Sequence, residues 1–115
     1  MNKFTEFKKY FNAYQNKFGL INYRIFFKYE PVDGFADIVR FQEDATATVR
    51  LNNKVTKEDK QFQNIRGTAK HEALHLLLAR FSDLAYSRYS TKSDIYEAEE
   101  ELVRRLETLI PSIKL

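Results

Sequence analysis

The chain has 115 residues, of which 43% are hydrophobic and 15% aromatic, and it contains no cysteine. A chain of this length can bury a modest core, and we expect residues 1–115 to form a single domain. Without cysteine there can be neither disulfides nor thiolate ligands, so any bound metal must take nitrogen and oxygen ligands.

The net charge of +3 is distributed unevenly along the chain. Residues 1–30 hold six Lys/Arg against two acidic residues, whereas residues 65–115 hold eight of each. A basic first third is typical of a solvated helix face or, less often, of a surface for nucleic acid or another acidic partner. The polar start lacks the apolar core of a signal peptide, and no apolar run is long enough to span a bilayer, so we expect a cytoplasmic protein without membrane association.

The first predicted element is an amphipathic helix that ends near Gly19. Its aromatic residues recur in steps of three and four, which is typical of a single helix face packed on a core. They are Phe4, Phe7, Phe11, Tyr14 and Phe18.

Three strands are predicted next, because the apolar period changes to two. The first runs from Asn22 to Glu30, with Tyr23, Ile25, Phe27 and Tyr29 on one side. Turn residues 31–34 lead into a second strand from Phe35 to Phe41, with Phe35, Val39 and Phe41 on one side, and the short gap predicts a hairpin.

The third predicted strand, Ala45 to Leu51, places Ala47, Val49 and Leu51 on the core face. Its other face carries threonines and Arg50. Either this strand borders a groove and pairs with an extended peptide, or it is an ordinary sheet edge protected by a charge.

A long helix is predicted from the Thr56 cap to about residue 81. Gly67 lies within it and either breaks the helix or permits a close approach.

This helix carries the sequence His71-Glu72-Ala73-Leu74-His75, which contains the only two histidines of the chain. Histidines four residues apart on a helix share one face and can bind one metal ion. Glu72 lies about 60° around the helix from His75, so it can reach a metal-bound water without being a ligand. The alternative is that both histidines are ordinary surface residues.

Ser82 to Ser90 is predicted as an irregular connection, followed by a last helix that Ser93 caps and Pro111 ends. A catalytic zinc takes three protein ligands, and Phe81 occupies the position where some zinc sites have a third histidine, so the third ligand must be a carboxylate. With Leu102 at 0°, the apolar positions of the last helix span about −20° to 100°, Glu99 lies near 60° and Glu100 near 160°.

Glu99 is therefore the predicted third ligand, and Glu100 is the next candidate. Two alternatives stay open: Glu99 pairs with an arginine, or the helix is rotated from this phase.

The His71–His75 segment and the later acidic helix, residues 97–106, together resemble small gluzincin-type metallopeptidases. The nearest are the minimal, phage-associated peptidases of the ImmA/IrrE type and the minigluzincins. The resemblance implies an α+β, minimal zincin-like core with one N-terminal helix, a three-stranded mostly antiparallel sheet, an active-site helix and a C-terminal helix. The match covers roughly residues 45–110, and the asparagine usual after the third ligand in ImmA/IrrE-type chains is missing.

The leading hypothesis is a zinc-dependent peptidase acting on a peptide or protein. His71, His75 and Glu99 would bind Zn²⁺, Glu72 would be the general base, and Tyr86, Arg88 and Tyr89 would assist at the oxyanion or the substrate. The rival hypotheses are a catalytically silent module of the same fold that binds a protein or nucleic acid, and a hydrolase acting on something other than peptides.

Overall fold

The structure is a computed structural model that describes residues 2–86 and 91–115, and its architecture is α+β. Its elements are α1 (Lys3–Lys17), β1 (Arg24–Glu30), β2 (Ala36–Phe41), β3 (Thr46–Asn52), α2 (Lys57–Lys60), α3 (Ile65–Leu77), α4 (Ala79–Tyr86) and α5 (Lys92–Leu109). The predicted fold class, with an N-terminal helix, three strands and C-terminal helices, is confirmed. Within the described ranges, no helix combines the length and apolar character needed to cross a membrane.

Helix α1 packs its aromatic stripe into the core, as predicted. Phe7, Phe11 and Tyr14 are at most 1% exposed. The ring of Phe27 on β1 meets the first two edge-on, at centroid distances of 6.3 and 5.5 Å. Gly19 follows the helix with a φ of +72°, a left-handed conformation that favours glycine, so the predicted end is also confirmed.

The sheet has the strand order β1-β3-β2, so the predicted hairpin between β1 and β2 is wrong. Strand β3 lies between them, parallel to β1 and antiparallel to β2, so the sheet is mixed and the predicted mostly antiparallel sheet is wrong. Ala47, Val49 and Leu51 face the core as predicted and are fully buried. Because both edges of β3 are paired, neither explanation of it as an edge strand holds. Arg50 instead bonds Asp37 and Glu30 on the two neighbouring strands.

Strand β2 turns the side that carries Val39 and Phe41 to solvent, where these residues are 46% and 51% exposed. The register pairs Ile38 with Val49, which is buried, so the inward side of β2 is Ala36, Ile38 and Arg40. A cation therefore points inward from an edge strand, toward the helices.

The predicted helix over 57–81 is divided into α2, α3 and α4. Thr56 caps α2 as predicted, but the first break falls before Asn64 rather than at Gly67. The Asn64 side chain accepts a hydrogen bond from the Gly67 N–H at 3.1 Å, and a Cβ at position 67 would come within 2.6 Å of the Asn64 Nδ2. Gly67 thus permits the close approach of the helix cap. Residues 82–86, predicted to be irregular, are helical in α4.

Helix α5 begins after Thr91 rather than Ser93, and the side chain of Thr91 accepts from the Asp94 N–H. It is also rotated from the predicted phase, since Leu102 and Leu109 are exposed whereas Val103 and Glu99 are buried. The buried arc is displaced by roughly 60° toward Glu100. Helix α5 meets α3, which also contacts α1 and β2, so α3 lies at the centre of the fold.

Candidate metal centre

His71 and His75 lie one turn apart on α3 and direct their Nε2 atoms to the same point. The two Nε2 atoms are 3.2 Å apart, and the rings are 71° from parallel. The His75 side chain is 9% exposed and the His71 side chain 24%, so the pair lies at the floor of an open site. The predicted convergence of the two rings is present.

The carboxylate of Glu100 reaches the two Nε2 atoms from α5. Its Oε1 is 3.0 Å from the Nε2 of His71, and its Oε2 is 3.0 Å from the Nε2 of His75. Ligand atoms from these three residues all lie within 4.8 Å of one another. Two ligands of a tetrahedral zinc, each about 2.1 Å from the ion, are roughly 3.3 Å apart. The donor set and its spacing therefore fit one zinc ion.

Each histidine has a carboxylate at its other ring nitrogen. The Nδ1 of His71 is 3.2 Å from the Oε2 of Glu107, and the Nδ1 of His75 is 3.4 Å from the Oε1 of Glu99. A proton donated from Nδ1 to such a carboxylate leaves the Nε2 lone pair free for a metal. Burial opposes a charge on His75, but the hydrogen bond to Glu99 and nearby Glu72 and Glu100 outweigh it and raise the pKa of His75.

Glu99 is buried, 3% exposed, and pairs with an arginine. The Nη2 of Arg40 lies 3.5 and 3.4 Å from its two carboxylate oxygens. Burial alone would raise the pKa of Glu99, but the hydrogen bond with His75 and the charge of Arg40 lower it overall. The charge that compensates this carboxylate comes from an arginine, one of the two alternatives left open by the sequence.

Glu72 is 4% exposed, and within residues 2–86 and 91–115 its Oε2 has no hydrogen-bond partner. Burial raises the pKa of its carboxyl to about 7, although the proximity of His75 opposes this shift. A buried carboxylate oxygen without a partner is costly and is typical of a group that receives its partner on ligand binding.

Glu72, both histidines and Glu100 line one cavity of about 280 Å³, which we call the site cavity. Its other walls are Ala36, Asp37, Ile38, Arg40, Tyr86, Tyr96 and Glu99. A second cavity of about 430 Å³ reaches His71 and Glu72 along the start of α3, between Phe35 and Phe62. The two cavities share Ala36, His71 and Glu72 in their walls, and we call them together the cleft.

The four predicted metal-site residues all line the site cavity, namely His71, Glu72, His75 and Glu99. However, Glu100, and not Glu99, lies where the two Nε2 atoms converge. The rotation of α5 is the reason, since it directs Glu100 at α3 and leaves Glu99 beside the Nδ1 of His75. Glu99 does face inward, as its helical phase predicted.

Among the predicted helpers, Tyr86 lines the site cavity, whereas Arg88 and Tyr89 lie outside the described residues. Sequence reasoning missed Arg40, Tyr96 and Glu107. The signal for Arg40 was its position on the same side of β2 as Ile38. Tyr96 lies one turn before Glu100 on α5. The negative charge of Glu100, and to a smaller extent burial, raises the pKa of the Tyr96 phenol.

The sequence matches no protein-family model, and no curated protein matches it. Among solved structures, the chain is similar to the crystal structure of the metallopeptidase zymogen jannalysin of Methanocaldococcus jannaschii. The two are 18% identical over 90% of this chain and 97% of that chain, with a TM-score of 0.42. A similarity at this level supports no inference about function. The function is therefore inferred from the side chains of the site alone.

Proposed function

We propose that this chain is a zinc-dependent peptidase in which His71, His75 and Glu100 hold the ion and Glu72 is the general base. The observation that carries the proposal is the convergence of two imidazole nitrogens and a carboxylate beside a buried carboxylate without a partner. Two nitrogens and one oxygen are a donor set that catalytic zinc sites use, with a further position left for water.

Zinc in such a site lowers the pKa of a bound water to about 7 and polarises a carbonyl group. The chain supplies the proton transfers. Glu72 cannot be a fourth ligand on the same edge as the histidines, because it lies about 60° around α3 from His75. Its free oxygen, in the same cavity, takes a proton from the attacking water and then gives it to the leaving amine.

Strand β2 provides a place for an extended peptide substrate. One of its edges is paired with β3, and the other is one of the two outer edges of the sheet, where Ala36, Asp37 and Ile38 border the site cavity. A peptide that pairs with this edge gains backbone hydrogen bonds and runs through the cleft past Glu72. The role predicted for β3 therefore passes to β2 in this proposal.

The first test measures metal content in protein purified without a histidine tag. We expect about one zinc per chain, as one three-ligand site requires. Folded parent protein that takes up no zinc would contradict the proposal.

The second test is cleavage of a diverse peptide library by the parent and by Glu72→Gln. The glutamine keeps the size of the side chain but cannot accept the proton, so cleavage should fall by at least about 100-fold while zinc stays bound. Zinc binding without cleavage by the parent would favour a silent binding module instead. Equal cleavage by both proteins would remove Glu72 from the mechanism.

A further inference from the structure

Arg40 is a partly buried cation that the proposed reaction does not use. It extends from the inward side of the edge strand β2, and its side chain is 15% exposed. Its Nη2 contacts both oxygens of Glu99 and lies 3.8 Å from the Oδ1 of Asp83 on α4.

Glu99 connects Arg40 to a proposed metal ligand. Its Oε1 lies 3.5 Å from the Nη2 of Arg40 and 3.4 Å from the Nδ1 of His75. A carboxylate buried to this extent is stable in ionised form only when charge and hydrogen bonds compensate it. Arg40 supplies the charge and restrains both oxygens, so the carboxylate keeps one orientation toward the imidazole.

His75 has a competing carboxylate at its other nitrogen, since the Oε2 of Glu100 is 3.0 Å from Nε2. In the metal-free protein a neutral imidazole carries its proton either on Nδ1, which faces Glu99, or on Nε2, which faces Glu100 and the Nε2 of His71 at 3.2 Å. Only the first tautomer leaves the Nε2 lone pair available for a metal. The orientation of Glu99 therefore decides how much of the protein is ready to bind.

We propose that Arg40 is a positioning residue that acts through Glu99 to hold His75 in the tautomer protonated on Nδ1. The expected consequence, tighter zinc binding, rests on the proposed function. It also connects strand β2, the edge that borders the cleft, to a ligand of the metal through three side chains.

The first experiment measures the affinity for Zn²⁺ by competition with a chromophoric chelator. Arg40→Gln should bind zinc about 10- to 100-fold more weakly, the range for losing an outer partner of a metal ligand. The matched control is Arg50→Gln, an arginine of the adjacent strand that pairs with Asp37 and Glu30 instead, and its affinity should equal that of the parent.

A double-mutant cycle then tests the path through Glu99. In a Glu99→Gln background, Arg40→Gln should change zinc affinity little, because the carboxylate through which it acts is already gone. An equal loss in both backgrounds would overturn the inference. If Arg40→Gln does not fold, Arg40→Lys keeps the charge beside Glu99 but not the geometry of the guanidinium, and a smaller loss of affinity is expected.

The second experiment reads the tautomer directly in metal-free protein, by long-range ¹H–¹⁵N correlation at a pH where the imidazoles are neutral. Arg40→Gln should shift the His75 proton from Nδ1 toward Nε2. His71 should not change, because Glu107 orients it, and it is the internal control. An unchanged His75 tautomer would overturn the inference. A parent that binds no zinc would contradict the proposed function, while this spectrum would still decide the role of Arg40.

Discussion

If zinc binds at the proposed site, it should stabilise the fold against heat, and Glu100→Gln should remove most of that stabilisation. The proposed ligands come from two helices, His71 and His75 from α3 and Glu100 from α5. The proposed site therefore exists only when these helices are packed, so we expect zinc to bind the folded state and not the unfolded chain. At a free zinc concentration 100 times the dissociation constant, this linkage stabilises the fold by about 2.7 kcal/mol. For a chain of this size, that raises the midpoint of thermal unfolding by roughly 10 °C.

Glutamine at position 100 keeps the shape of the side chain but removes its charge and replaces one of the two oxygens that face the Nε2 atoms. If the affinity falls about 100-fold, the stabilisation at the same zinc concentration falls to about 0.4 kcal/mol, a shift of only about 1–2 °C. Differential scanning calorimetry with and without zinc measures both shifts. The matched control is Glu97→Gln, an exposed glutamate on the same helix, which should keep the full shift.

Two results would contradict this reasoning. An undiminished zinc shift in Glu100→Gln would mean that Glu100 is not a ligand. Loss of the shift in Glu99→Gln together with its retention in Glu100→Gln would return the ligand role to Glu99, as the helical phase of the sequence first indicated.

Two further predictions concern the scaffold, and urea unfolding measures both. Phe11→Ala should lower the free energy of unfolding by about 3–5 kcal/mol, because Phe11 is fully buried. Phe41→Ala should change it by less than about 0.5 kcal/mol, because Phe41 is half-exposed. Similar losses in the two variants would contradict the described core. Asn64→Ala should cost about 1 kcal/mol as a lost cap. Gly67→Ala should stabilise by up to about 1 kcal/mol only in that background, because the cap otherwise obstructs the new Cβ, and strictly additive effects would refute this.

Local periodicity was sufficient to predict most elements, because helix and strand patterns depend on neighbours in the chain. The stripe of Phe7 and Phe11 and the core face of β3 are examples, and the spacing of His71 and His75 placed both rings on one face of α3. The predicted pairing of β1 with β2 was wrong, since the pairing of β1 with β3 depends on packing between distant segments. A short gap after β1 favours a hairpin only when no other strand of greater apolar character competes for the central position.

The proposed third ligand was also not predicted correctly from local periodicity. The buried side of α5 was predicted from the average direction of its apolar residues. Leu102 and Leu109 are exposed, so including them gave the wrong direction. The observed rotation of α5 brings polar side chains into contact with α3 and β2. Glu100 and Glu107 contact His71, and Glu99 contacts Arg40. Such contacts between elements have no periodic signature. Inward direction alone could not separate a metal ligand from the partner of an arginine.

The strand order also has a consequence for how the chain folds. Strands β2 and β3 are joined by residues 42–45, a turn in which Ala45 has a φ of 53°, so this antiparallel pair has low contact order. Strand β1 joins the sheet beside β3, with Arg24 opposite Thr46, and this parallel pairing closes a much longer loop. Local pairs form before distant ones when loop closure dominates the barrier. We therefore expect the hairpin of β2 and β3, which carries the edge along the cleft, to form first and β1 to pair with β3 afterwards.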